Sequence, residues 1–202
     1  MTTPGYQKEI TEYIRANALP PDKFSHQPRL YRLAMRLAEG KSFDDEVLFA
    51  AAWLHDLGVF VGHRPEGQAE LATWDHVAYV FKQAPILLHQ LKFPAAKIPA
   101  VLEVVRTHLP SAVPTCFEGV LLRDADILEQ LGAVSILRTV SKVGRDTRFI
   151  LFSDALRVLE KNLAELPDKL QLDISRQLAK PKLRILREFL EAARAEADGV
   201  EW

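Results

Sequence analysis

Eight consecutive apolar residues, Val47 to Leu54, run directly into an adjacent histidine and aspartate, His55-Asp56, with Gly58 two residues further on. A helix made of this stretch has almost no face to offer water, so it belongs in the middle of whatever the chain folds into. Ser42 with Asp45 three residues later is a capping-box-like start, and glycine is the residue type that accepts the left-handed turn closing a helix. The expected span is therefore about Asp44 to Leu57. An unpaired, ionised Asp56 at the buried end of such a helix costs on the order of several kcal/mol. A cation removes that cost, the helix C-terminus favours one electrostatically, and an imidazole nitrogen beside a carboxylate oxygen suits a divalent metal. Hydrogen bonds of His55 and Asp56 with loop backbone, the carboxylate accepting, satisfy the same groups without an ion, and the doublet alone leaves both readings open.

The rest of the chain shows helical periodicity and no run of alternating apolar and polar residues punctuated by hairpin turns. The expected fold class is all-α, with helices near 5–17, 26–39, 44–57, 70–84, 95–108, 118–130, 131–142, 150–165 and 169–196. The last is expected to break or kink at Pro181, because proline removes an amide donor. A length of 202 residues with 48% hydrophobic and 26% charged residues fits one domain with room for a full core, and no repeat or low-complexity linker is visible. A net charge of -1 gives no overall field for DNA, RNA or an acidic membrane. Cys116 is the only cysteine, which excludes an intrachain disulfide and a cysteine-based zinc site and is compatible with a reducing cytoplasm. No signal peptide and no apolar run near the roughly 20 residues of a membrane span are visible, so the expected location is cytoplasmic.

Several further polar residues fall on apolar helical stripes. His26 precedes Leu30, Leu33, Ala34 and Leu37 on one stripe, His76 shares a side with Ala72, Tyr79 and Val80, and His108 ends the face of Val101, Val104 and Val105. Asp126 lies four after Leu122 on an otherwise apolar helix, and Asp124, surrounded by Val120, Ile127, Leu128 and Leu131 at helical spacing, is almost as good a candidate. His89 follows Pro85 in an expected surface turn and receives no role. The Gly- and Pro-punctuated segment 59–70 leaves directly from the doublet as a lid-like loop, in which His63 and Arg64 either meet an anion or are solvated. The amphipathic remainder, with Leu156, Leu159, Leu163 and Leu166 and then Leu183, Leu186 and Leu190, reads as packing or as a homodimer surface. Alone, each inward His or Asp has an ordinary structural explanation. Together, buried imidazoles and carboxylates are most economically satisfied by a divalent metal with nitrogen and oxygen ligands.

The order His26, His55-Asp56, Asp126 resembles that of the HD-domain superfamily of metal-dependent phosphohydrolases. The segments 26–34 and 51–58 are similar to the family's first-His helix and its His-Asp signature, and Asp124-Ala125-Asp126-Ile127-Leu128 to its Asp-Ala-Asp-x-Leu segment, whose second Asp is the ligand. The resemblance covers about residues 22–150, leaving 150–202 as a C-terminal helical extension of a single HD-like helical bundle. It implies a metal held by His26, His55, Asp56 and Asp126, with His76 and His108 at a second metal or facing the phosphate. The metal, one or two ions of Mn, Fe, Co, Ni, Mg or Zn, would activate a water for in-line attack on phosphorus. Asp56 would orient that water, and His76 and His108 would stabilise charge on the phosphoryl oxygens. The implied substrate is a small phosphate compound such as a nucleotide, with no DNA or RNA polymer and no membrane as partner. Val59 stands where many relatives carry Lys or, three after the Asp, an acid. Glu66, Glu70 and Asp75 offer a carboxylate instead, and Lys142, Arg145 and Arg148 a positive charge, while Arg29 and Arg106 are either near the ligands or solvated. Two other readings follow from the same resemblance: a di-iron HD-type oxygenase, and a non-catalytic nucleotide- or metal-binding HD module.

Overall fold

A computed structural model describes residues 4–200 of the chain. Among these residues there are ten α-helices and no strand. The helices are α1 (Gly5–Asn17), α2 (His26–Leu37), α3 (Asp45–Leu54), α4 (Gln68–Ala72), α5 (His76–Gln90), α6 (Ile98–Arg106), α7 (Phe117–Glu129), α8 (Ala133–Val140), α9 (Phe152–Glu165) and α10 (Asp173–Ala197). No helix among the described residues is long and apolar enough to cross a membrane. The chain divides into two compact units, Met1–Arg123 and Asp124–Trp202, with the boundary inside α7.

In the first unit α3 is central, as its lack of a polar face demands. Every residue from Val47 to Leu54 is buried, and α1, α2 and α6 pack around it. The start of α3 differs from the capping-box expectation. Asp44 is the N-cap, its carboxylate accepting from the amides of Glu46 (3.1 Å) and Val47 (3.2 Å), the donors a helix start leaves unsatisfied. Lys97 Nζ bridges Asp44 (2.7 Å) and Glu46 (2.6 Å), and Glu118 accepts from the Asp44 amide at 2.6 Å. Burial on its own raises the Asp44 pKa, but Lys97 and the two amides outweigh it and hold the carboxyl below its ordinary value.

A depressed folded-state pKa stabilises only while the carboxyl is ionised. The contribution is complete above the unfolded value near ~4 and is lost as pH falls below it. Asp44→Ala should therefore cost about 1 kcal/mol at pH 7, roughly 2–4 °C in Tm. Thermal melts of the variant and the wild type should converge as pH is lowered through about 4 and below; a gap that stays constant or widens there contradicts the assignment.

The other end of α3 also departs from expectation. The helix stops at Leu54, His55 is its C-cap, and a short 3₁₀ turn over Leu57–Val59 follows. Gly58 does not adopt a left-handed conformation there. Its glycine requirement comes from proximity, since a Cβ would lie 2.8 Å from the His76 carbonyl oxygen and 3.0 Å from the His76 Cα. The expected helix 70–84 is in fact two, α4 and α5, separated before His76 by Asp75, whose side chain caps α5 through the Ala78 amide at 2.9 Å. Helix α5 runs on through Pro85, so His89 is an exposed helical residue, not part of a turn. The buried Ala84, Leu87 and Leu88 flank that proline, and their burial offsets the lost backbone bond.

In the second unit α9 packs against α8 and α10. Of the break or kink expected at Pro181, the break does not occur: helix α10 continues from Asp173 to Ala197 with the proline inside it. Ser175, Ala179, Leu186, Leu190 and Ala193 are its buried residues, and Pro181 stands on the exposed side.

Candidate metal centre

Two helices of the first unit end in a histidine whose own ring satisfies a terminal carbonyl. His55 follows α3 with Nδ1 3.0 Å from the Ala52 carbonyl oxygen, and His108 follows α6 with Nδ1 2.6 Å from that of Val105. A carbonyl only accepts, so each Nδ1 carries the proton and each Nε2 carries the lone pair in the neutral ring. That is the arrangement a metal-ligating histidine needs, with its far nitrogen fixed by a second partner.

The local structure then brings five of the expected residues together. His26 opens α2 and His76 opens α5; His26, His55 and His108 are buried, while His76 and Asp56 are partly exposed. The imidazoles form a chain of edge-on neighbours, with ring centroids 5.4 Å apart for His26 and His55, 5.1 Å for His55 and His108, and 5.9 Å for His76 and His108. Asp56 Oδ2 lies 3.7 Å from His26 Nε2 and 3.5 Å from His55 Nε2. Two triads, His26-His55-Asp56 and Asp56-His76-His108, each offer ligand atoms within 4.8 Å of one another, and Asp56 is common to both.

These distances and donors fit a divalent ion. The two separations from Asp56 exceed the roughly 2.7–3.2 Å of ordinary hydrogen bonds. They are close to the edge of a coordination shell with bonds of about 2.0–2.2 Å, where neighbouring ligands lie about 3–3.5 Å apart. Two imidazole nitrogens with a carboxylate oxygen in each triad suit Mn, Fe, Co, Ni or Zn better than Mg, which prefers oxygen ligands throughout. Burial raises the Asp56 pKa, but in the acid range where a carboxyl titrates the charge of protonated His55, His26, His108 and His76, in that order, overcomes it and holds the carboxyl well below the usual carboxylate range. Asp56 is thus an anion at a point where histidines converge.

Asp126 lies in the second unit, on α7, where its carboxylate accepts from Gln130 Nε2 at 3.0 Å. Asp124, its rival in the sequence, is fully buried and committed elsewhere: it accepts from the backbone amides of Gln171 (3.0 Å) and Leu172 (2.9 Å), anchoring the segment that leads into α10.

Other candidates have local partners of their own. His63 bonds through Nδ1 to the Tyr79 hydroxyl (2.9 Å) and through Nε2 to Asn17 Oδ1 (3.3 Å), tying the 59–67 loop to α1 and α5. Arg106 pairs with Glu103 at 2.6 Å on the surface. Glu66, Glu70 and Asp75 are exposed. Arg148 pairs with Asp146 at 2.7 Å, Arg145 donates to the Ser141 carbonyl, and Lys142 covers the Phe149 ring, all within the second unit. Cys116 is a free, half-buried thiol whose pKa burial raises. One residue near the site escaped sequence reasoning. Arg123, buried on α7, donates to the carbonyls of Leu109 (3.4 Å) and Pro110 (2.9 Å), the two residues after His108. An arginine beside Asp124 on an otherwise apolar helix was the available signal.

Known proteins share this architecture. The chain is similar to Bacillus subtilis YpgQ determined in complex with ADP, at 21% identity and a TM-score of 0.70, with 96% of each chain covered. An HD-superfamily hydrolase from Bacillus thuringiensis matches at 21% identity and a TM-score of 0.66, over 96% of this chain and 97% of that one. A predicted HD-superfamily hydrolase from an uncultured Thermotogales bacterium matches at 24% identity and a TM-score of 0.62, over 94% and 91%. No curated protein matches the sequence significantly. The family model for the HD domain matches residues 24–131, more than half of the chain and the whole interval from His26 to Asp126. This chain belongs to the HD-domain family.

Proposed function

We propose that the chain is a divalent-metal-dependent phosphohydrolase acting on a small phosphate compound, with nucleotides the class to examine first. The observation that carries this reading is the convergence of Asp56 with four imidazoles, two of which have their protons fixed on the nitrogen facing the backbone. In this reading His26, His55 and Asp56 hold one ion, with Asp126 as the further ligand that the family pattern assigns. His76, His108 and Asp56 hold a second. When bound, such ions supply Lewis-acid charge to a phosphoryl oxygen and a water acidic enough to attack at neutral pH.

The chain's own residues contribute orientation and charge. Asp56, kept ionised by its neighbours, accepts a hydrogen bond from the attacking water and fixes where that water stands. His108, with Nδ1–H given to Val105, has only a lone pair at Nε2 and so serves as a ligand better than as a donor to phosphate. His76, partly exposed at the start of α5, is the histidine of the cluster best placed to meet solvent and substrate. The ADP in the Bacillus subtilis neighbour makes a nucleoside diphosphate the natural first compound to assay.

The test is phosphate or pyrophosphate release from nucleoside mono-, di- and triphosphates with manganese, cobalt, nickel, magnesium, zinc and iron. Turnover that needs a divalent ion and disappears in His55→Ala is expected; full turnover and full metal content in that variant would contradict the assignment. A chelator such as EDTA should abolish the wild-type activity, and an excess of the ion should restore it.

The carboxylate shared between two histidine-rich triads also suits a pair of irons, so a di-iron oxygenase is the second reading. Oxygen consumption by anaerobically prepared, iron-loaded protein, with no phosphate release, would favour it. Nucleotide-dependent thermal stabilisation with neither reaction would mark a binding module.

A further inference from the structure

His76 reaches the cluster from a different segment than the His55-Asp56 doublet, and the structure contains a specific brace between the two. The 3₁₀ turn over Leu57–Val59 follows Asp56 directly, and α5 packs against it. Trp74, two residues before His76, donates its indole N–H to the carbonyl of Gly58, two residues after Asp56, at 2.8 Å. The missing Cβ of Gly58 lets the His76 backbone approach to a distance that any other residue would obstruct. The indole is supported from its other side. Its ring lies 5.4 Å from that of Tyr79, whose hydroxyl bonds His63, which in turn reaches Asn17 at the end of α1.

We propose that Trp74 is a positioning residue that sets the separation of His76 from Asp56, and so the grip of the Asp56-His76-His108 triad on its ion. The inference rests on the metal reading above and adds to it a residue outside the ligand set. A hydrogen bond from a fixed indole to a backbone carbonyl holds direction as well as distance, and a ligand triad loses affinity when one member drifts by a fraction of an ångström. Trp74→Phe keeps an aromatic ring against Tyr79 and removes only the donor, so the fold should survive it.

The experiment is a double-mutant cycle on cobalt(II) affinity, read by calorimetry and by the cobalt absorption spectrum, with Trp74→Phe made in the wild type and in His76→Ala. With His76 present, Trp74→Phe should weaken binding by about three- to tenfold, the loss of one hydrogen bond's net contribution. With His76 absent it should change affinity less than about 1.5-fold, because there is no longer a ligand for the indole to place. No effect with His76 present, or an equal effect in both backgrounds, overturns the assignment and leaves Trp74 a packing residue. If Trp74→Phe does not fold, the isosteric residue β-(3-benzothienyl)alanine at position 74, which keeps the bicyclic shape and lacks the N–H donor, replaces it in the same cycle and is read the same way. A wild type that fails to bind cobalt(II) defeats the metal reading itself and this inference with it. Normal wild-type binding without coupling to His76 defeats only the role of Trp74.

Discussion

Replacing Asp56 by alanine should lower metal-dependent phosphate release by about 10³-fold or more, the largest loss expected from any single substitution in the chain. The reason is its position, since it is the one carboxylate present in both triads; on the proposed reading its loss would remove an oxygen ligand from each ion and the acceptor for the attacking water. His26→Ala and His76→Ala each touch one triad only and should be milder than Asp56→Ala, leaving partial metal content. The comparison needs kcat, KM and metal content measured on the same preparations. Asp56→Ala with the activity of His26→Ala or better would remove Asp56 from the centre of the account.

The second large effect is thermal. An ion that binds the folded chain and not the unfolded one stabilises by about 2.7 kcal/mol at 100 times its Kd. For a chain of this size that corresponds to a rise of roughly 5–10 °C in Tm. Part of that gain has a local origin. Three buried imidazoles and a carboxylate that is anionic at neutral pH lie together beyond the buried, apolar end of α3, and a cation relieves the cost of placing them there. Differential scanning fluorimetry with manganese or cobalt, with and without EDTA, measures the shift. It should be present in Trp74→Phe, reduced in His26→Ala and absent in Asp56→Ala. A wild-type melt indifferent to every divalent ion would contradict the prediction.

Much of this was legible in the sequence because it depends on local pattern. The spans of α1 and α2 follow from apolar spacing, the centrality of α3 from its lack of a polar face, and the inward histidines from the stripes that carry them. What escaped depends on partners far along the chain. Gly58 looked like a helix stop, whereas its role is the approach of His76, eighteen residues on. Asp124 is almost as good a candidate as Asp126 in the sequence because nothing near it there announces the amides of Gln171 and Leu172. A surface turn is the local expectation after Pro85 and a break or kink that at Pro181, yet packing on the buried faces of α5 and α10 carries each helix through. The Trp74 brace was invisible for the same reason, since its acceptor is a backbone carbonyl sixteen residues earlier.

The most direct measurement is anomalous diffraction from crystals of the wild-type chain grown with manganese. One anomalous peak is expected in contact with His26 Nε2, His55 Nε2 and Asp56, and a second with Asp56, His76 and His108, each at about 2.0–2.3 Å from its ligands. Manganese bound elsewhere on the chain, with these five side chains bare at an ion concentration that supports turnover, would contradict that expectation.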